Sequence, residues 1–132
     1  MSATATATLQ ARTFDGVPCE LRQVRGFVGL LVNGCPVADE VILLSDELAA
    51  NAVLHTASGV NGTFSVYVLL ESAWVRVEVH DLGSASTPAV RPPSSQPAES
   101  GRGLGIVETV ADRWGFHDGQ RGRVVWFEMD WQ

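Results

Sequence analysis

Hydrophobic residues recur along the chain at two spacings, one typical of helices and one typical of strands. From Glu20 to Val32 they recur every three or four residues, which predicts a helix that ends at Asn33-Gly34. A second helix is predicted from about Ala38 to Thr56, with Asp39 as its N-cap. A third is predicted from about Leu104 to Arg113, so three helices are expected in all.

Alternation of apolar and polar residues predicts strands. Trp74–His80 is the clearest case, and the short link Glu71-Ser72 joins it to Thr63–Leu70 as an antiparallel pair. Further strands are predicted for Leu9–Phe14 and for Trp114–His117 and Arg123–Glu128, with a turn at Asp118-Gly119 between the last two. The mixture predicts an α+β fold, a two-layer α/β sandwich whose mixed, mostly antiparallel sheet carries about three helices on one face.

The chain of 132 residues is expected to form one domain. Ser2–Thr8 contains only Ser, Ala and Thr, which predicts a disordered tail over residues 1–10 and a single domain over 11–132. Within that domain, Leu82–Ser100 holds four of the six prolines and no aromatic residue. This composition predicts a long flexible loop, and a loop of that length in a compact domain is usually functional or disordered.

Charge composition excludes several kinds of chemistry. All nine basic residues are Arg, against fifteen acidic residues, which leaves a net charge of −6. Without Lys, a Gly-Lys-Ser/Thr phosphate loop and a Schiff-base enzyme are both excluded. The acidic balance argues against direct nucleic-acid binding. No segment resembles a signal peptide or a membrane span, so a cytoplasmic protein is expected.

Several residue types that often carry chemistry are better explained as structural. Cys19 and Cys35 match no metal spacing and are expected to be reduced, partly buried thiols. His80 and His117 fall within strand patterns, where a structural histidine is more common than a ligand. Trp131, near the chain end, is expected to be exposed and part of an interface.

Glu47, Asn51 and His55 are four residues apart on the second helix, which places them on one face. A solvated polar stripe is the common explanation of such spacing. The alternative is that the oxygen of Asn51 binds Mg²⁺ and that Glu47 accepts a proton from an attacking hydroxyl or water. Zinc held by His55 and Glu47 is a poor match, because the two-His spacing is missing.

Two glycine-containing motifs follow. Asp81-Leu-Gly83 ends a strand, either as an ordinary turn or as a carboxylate that accepts a hydrogen bond from an exocyclic amine. Gly101-Arg102-Gly103-Leu104-Gly105 stands directly before a helix, either as a hinge or as a set of backbone N–H groups suited to phosphate. Its spacing does not match a dinucleotide fingerprint.

In this order, the motifs resemble those of the GHKL ATPases, the family of gyrase, heat-shock chaperone, histidine-kinase and mismatch-repair type. The resemblance runs from about Ala11 to Asp130 and is strongest to the small stand-alone anti-sigma-factor serine kinases of actinobacteria. Glu47-Leu-Ala-Ala-Asn51 looks like the N box, and the two glycine motifs look like the first and second glycine boxes. The segment from Gly122 to Glu128 resembles the last strand of these proteins.

The resemblance implies a histidine-kinase-like ATPase fold and a role for each matched residue. Asn51 would hold Mg²⁺, Glu47 would be the general base, and Asp81 would read the adenine amine, with Gly83 also binding the nucleotide. The phosphates would lie on the segment formed by Gly101, Arg102, Gly103, Leu104 and Gly105, and residues 82–100 would be the ATP lid. Two positions depart from the family pattern: Ala85 stands where another Gly is common, and Arg123 stands where many relatives have Lys.

The expected function is an ATP-dependent serine/threonine kinase with Mg²⁺ as cofactor, acting on an anti-sigma-factor antagonist and also binding a sigma factor. The alternative is a regulatory module that binds ATP and a sigma factor or other regulator without transferring phosphate. A plain α+β domain without nucleotide is a third interpretation. Family likeness also implies a homodimer, and any effect on transcription is expected to pass through a protein partner.

Overall fold

The computed structural model describes residues 7–55, 62–82, 105–119 and 122–131. These residues form five strands and three helices. In chain order they are β1 (Thr8–Asp15), α1 (Leu21–Leu31), α2 (Ala38–His55), β2 (Thr63–Leu70), β3 (Trp74–Asp81), α3 (105–110), β4 (Arg113–Gly119) and β5 (Gly122–Asp130). A short 3-10 turn at Pro18–Glu20 leads into α1, because proline suits the first turn of a helix.

The five strands form one sheet in the order β1-β2-β3-β5-β4. Each neighbouring pair of described strands is antiparallel. The sequence predicted a mixed, mostly antiparallel sheet, and the described strands are antiparallel throughout. The predicted pairing of β2 with β3 is confirmed, with Val68 opposite Val77. The last strand, β5, lies between β3 and β4, so it is an interior strand and β4 is the edge.

The helices cover one face of the sheet, where the hydrophobic core lies. Alternate residues of β2, β3 and β5 are buried on that face, among them Val68, Val77 and Phe127. The helices contribute buried side chains opposite them, including Val28 from α1 and Leu48 from α2. The two-layer α+β architecture predicted from the sequence is therefore confirmed.

Some predicted boundaries shift in the structure. Asp39 lies inside the first turn of α2 and not at the N-cap, where its charge still faces the positive end of the helix dipole. Helix α3 ends at residue 110, because Arg113 already begins β4. The turn predicted at Asp118-Gly119 is wrong, since Asp118 pairs with Arg123 and Gly119 with Gly122.

The N-terminal part of the chain also differs from the prediction. Strand β1 begins at Thr8, so residues 8–10, which were assigned to the tail, pair with β2. Residues 1–6 lie outside the described part of the chain. No helix in the described ranges is long and apolar enough to cross a membrane.

The residues interpreted as structural have clear positions. Cys19 is exposed and Cys35 half-buried, both as free thiols, and burial raises the pKa of Cys35. His80 and His117 lie in strands as predicted. Trp131 is not the exposed side chain that was expected: it is partly buried against the core, and its backbone N–H donates to Ala73.

Candidate functional site

A row of polar residues on α2 forms one side of the candidate site. Glu47 and Asn51 are one helical turn apart, and both are half-buried. They border the stripe of α2 that packs on the sheet, in which Leu44 and Leu48 are fully buried. A polar row on a purely solvated face would be exposed, so this position favours a functional role. The side chain of His55 lies outside the described part of the chain.

The end of β3 forms the other side of the site. Asp81 continues the alternation of Val77 and Val79, so it lies on the face that the helices cover, and it is only 7% exposed. Helix α2 packs against β3, which places the polar row and Asp81 on the same side of the sheet. A carboxylate in the position of a core valine is costly unless it is hydrogen-bonded.

Arg123 of β5 lies directly opposite Asp81. It occupies a core-facing position of its strand and is 8% exposed, which is rare for arginine. Its Nε donates a hydrogen bond of 3.2 Å to Asp118 on β4. Sequence reasoning placed Arg123 in the last strand but assigned it no function. The sequence does contain a signal for a role of Arg123. It alternates with Val125 and Phe127, so it lies on the same face of β5 as these apolar residues.

Gly122 brings β5 close to Asp81. Its backbone has φ of +144°, and a Cβ there would lie 1.9 Å from the carbonyl oxygen of Asp81. Only glycine avoids this clash and adopts this conformation without strain. From the sequence, Gly122 is likewise only a part of the last strand. In the structure, its lack of a side chain allows β5 to begin in close contact with Asp81.

A pocket of about 510 Å³ lies at these strand ends. Asp81 and Arg123 belong to the helix-covered face, whereas Tyr67 and His80 alternate with buried residues and belong to the open face. The pocket therefore extends around the end of the sheet. The Tyr67 and His80 rings lie 4.4 Å apart between centroids. The remaining lining residues are Thr63, Phe64, Ser65, Leu82, Gly119, Gly122 and Val124.

The residues of the site offer polar groups of the kinds that Mg²⁺ and a nucleotide require. No group of three or more His, Cys, Asp or Glu residues within the described ranges is placed to hold a metal ion. In nucleotide sites, Mg²⁺ is usually held by one or two protein oxygens, with phosphate oxygens and waters as its other ligands. The half-buried Asn51 offers an oxygen of that kind. A buried carboxylate beside a buried guanidinium fits the edge of a base, which carries both donors and acceptors.

The predicted phosphate-binding segment is described only at its end. Gly105 is the first described residue of α3, is exposed, and has open space where a Cβ would lie. Gly83 and the segment Gly101, Arg102, Gly103 and Leu104 lie outside the described residues, as does the predicted lid beyond Leu82. Their roles stay predictions.

Comparison with known families gives a match over nearly the whole chain. The model of the histidine kinase-like ATPase domain matches residues 7–129, which include β1 through almost all of β5. No curated protein gave a significant match to the chain. The matched range contains Glu47, Asn51 and Asp81 together with both glycine motifs.

Proposed function

The chain belongs to the histidine kinase-like ATPase family, and we propose that it is an ATP-binding regulatory protein with serine/threonine kinase activity. Its substrate in this proposal is a serine of an anti-sigma-factor antagonist, and its second partner is a sigma factor. The proposed site of action is the cytoplasm. Family membership supports ATP binding, and the sequence resemblance to anti-sigma-factor kinases supports the choice of partners.

One observation carries the site assignment: Asp81, buried at the end of β3, lies on the face of the sheet against which α2 packs. This arrangement supports a nucleotide between the end of β3 and the polar row of α2. Asp81 would accept a hydrogen bond from the adenine amine. Asn51 would contribute an oxygen to Mg²⁺ at the phosphates. Gly105 is the first described residue of α3 and the last residue of the second glycine motif, whose backbone N–H groups would bind phosphate oxygens.

The proposed reaction is phosphoryl transfer from Mg·ATP. The serine hydroxyl of the antagonist attacks the γ-phosphorus, the bond to the β–γ bridging oxygen breaks, and ADP leaves. Glu47 accepts the hydroxyl proton as the new phosphate ester forms. Half-burial of Glu47 on α2 supports this role, because a proton acceptor needs access to the substrate and a fixed position.

The second candidate is a regulatory module that binds ATP and a partner without transfer. The two departures from the family pattern, Ala85 after the first glycine motif and Arg123 in the last strand, favour it, because they leave the residues proposed to bind the nucleotide in place while departing from the pattern of the kinases. In either case a second copy of the chain is a further proposed partner, on family likeness alone.

Labelled ATP distinguishes the two candidates. The wild-type protein is incubated with Mg²⁺, γ-labelled ATP and purified candidate antagonists, beside Glu47→Gln and Asn51→Ala. We expect Glu47→Gln to bind Mg·ATP but to transfer phosphate about 10²–10⁴-fold more slowly, the usual contribution of a general base. We expect Asn51→Ala to lose Mg²⁺-dependent nucleotide affinity.

Glu40→Gln is the matched control, since Glu40 is an exposed carboxylate on the same helix. It should behave as wild type in both assays. Tight ATP binding without transfer to any candidate would favour the regulatory module. Unchanged Mg·ATP affinity in Asn51→Ala would contradict the site assignment.

A further inference from the structure

We propose that Arg123 is a second residue that reads the nucleotide base, donating a hydrogen bond to ring nitrogen N1 of adenine while Asp81 accepts one from the exocyclic amine. This inference rests on the proposed function, because it requires adenine beside Asp81. It adds a specificity-determining residue that is a departure of this chain from the family pattern.

The hydrogen bonding of Arg123 is incomplete within the described chain. Nε donates to Asp118, which is itself about half exposed. One terminal nitrogen, Nη2, is buried and has no hydrogen-bond partner among the described residues. A buried donor without an acceptor costs more than most hydrogen bonds contribute, so such groups usually have a ligand or water as partner. The unsatisfied N–H group is therefore available for an acceptor on a bound molecule.

The position of this donor matches one edge of a base. Arg123 and Asp81 are directly opposite on neighbouring antiparallel strands and line the same pocket. The Cβ atoms of such a pair are about 4.5–5.5 Å apart, with both side chains on one face. Adenine carries its amine and N1 as adjacent atoms of its pairing edge, a donor beside an acceptor. A carboxylate and a guanidinium carried by side chains that leave the sheet side by side supply the acceptor and the donor which that edge requires.

The local charge favours a neutral base over a phosphate group. Asp118 and Asp81 flank Arg123 on the two neighbouring strands, so two carboxylates accompany one guanidinium. A phosphate placed there would meet net negative charge in a poorly solvated position. A neutral ring with one donor and one acceptor avoids this repulsion.

The test uses ATP analogues that lack one ring nitrogen each. We expect wild-type protein to bind 1-deaza-ATP about tenfold to a hundredfold more weakly than ATP, the range for a lost hydrogen bond to a charged group. Binding of 7-deaza-ATP should stay within about twofold of ATP, a change below what one hydrogen bond contributes. In Arg123→Met, ATP should lose affinity by a similar factor, and 1-deaza-ATP should then bind as well as ATP.

Arg25→Met is the control variant, because it removes an arginine–carboxylate pair (Arg25 with Asp46, 2.8 Å) on the helices, away from the pocket. It should leave all three affinities unchanged. Arg123→Lys keeps the charge and serves as the second variant if Arg123→Met does not fold; a reduced 1-deaza penalty is expected there.

The outcomes separate this inference from the proposed function. If wild type binds ATP and 1-deaza-ATP equally, or loses affinity for 7-deaza-ATP instead, the role of Arg123 is wrong and the ATP site stands. The role of Arg123 is also contradicted if the Arg123→Met variant still binds 1-deaza-ATP as much more weakly than ATP as the wild-type protein does. If wild type does not bind ATP, the proposed function fails and this inference fails with it.

Discussion

Arg76 connects three side chains on the face of the sheet that the helices leave open. Its guanidinium donates to Glu78 at 2.7 Å and to Glu128 at 2.9 Å, and lies 4.1 Å from the ring centroid of Trp126. Burial acts to lower the pKa of Arg76, but the two carboxylates outweigh it and raise the pKa. Such a partly buried arginine holds strands β3 and β5 in register through its side chain as well as through the backbone.

The residue with the strictest local requirement is Gly122. Gly122→Ala should lower the free energy of unfolding by about 2–4 kcal/mol, because a positive φ is strained for alanine and the added Cβ meets Asp81. Urea unfolding followed by tryptophan fluorescence measures the change. The same substitution should weaken ATP binding, since β5 begins beside Asp81.

Gly119→Ala is the control within the same strand pair. A Cβ at Gly119 would have its nearest neighbour at 3.7 Å, an ordinary contact, and its backbone carries no positive φ. Its stability should stay within about 0.5 kcal/mol of wild type, as for most surface substitutions. Equal stabilities for the two variants would contradict the steric account of Gly122.

At the scale of elements, a row of charges joins the strands of the open face. Glu128 on β5 accepts hydrogen bonds from Arg113 of β4 and Arg76 of β3. Burial acts to raise the pKa of Glu128, but these two arginines outweigh it and leave the pKa below its ordinary value of 4.5. The pKa of Glu78 is lowered in the same way. Burial acts to raise this pKa, but hydrogen bonds from His80 and Arg76 lower it by more.

This row predicts how stability depends on pH. Because the pKa of Glu128 is lower in the folded chain than in the unfolded one, the folded state loses stability as pH falls below about 4.5. Glu128→Gln should cost about 1 kcal/mol at neutral pH, the scale of a partly exposed pair, and less as the pH falls through the lowered pKa. Thermal unfolding from pH 7 to 3 checks this.

Asp46→Asn is the comparison for the acid experiment, because Asp46 forms one ion pair with an exposed arginine on the helices, and such exposed pairs contribute little to stability. The difference between Asp46→Asn and wild type should change little with pH. A Glu128→Gln effect that is independent of pH would contradict the electrostatic account.

At the scale of the whole molecule, nucleotide binding should increase the free energy of unfolding. A ligand that binds only the folded chain stabilises it by about 2.7 kcal/mol at a hundred times its dissociation constant. We therefore expect Mg·ATP to raise the unfolding temperature by several degrees, and chelation with EDTA to remove most of that rise. Differential scanning fluorimetry measures both shifts.

The Asn51→Ala variant is the control for this measurement. Its unfolding temperature without ligand should be near that of wild type, because Asn51 is only half-buried. With Mg·ATP it should show little of the rise. An equal shift in both proteins would mean that the nucleotide binds away from α2.

The period of the hydrophobic pattern was enough to predict most elements. The alternation in Trp74–His80 and the short link before it predicted the β2–β3 pair, which the structure confirms. The turn after β4 was misplaced because Asp118-Gly119 has turn chemistry, while cross-strand pairing with Arg123 and Gly122 extends the strand through both residues. Local propensity alone does not reveal such a pairing.

The sequence by itself determined the fold class and the family, because both depend on local information: the spacing of apolar residues and the order of short motifs. It also determined that Glu47 and Asn51 share a helix face, since helical geometry follows from their separation. Only the tertiary structure decided that β5 lies between β3 and β4, that Gly122 touches Asp81, and that Arg123 is buried opposite it. The contacts between β3 and β5 join residues more than forty positions apart, and their arrangement depends on which strands pair and which face the helices cover.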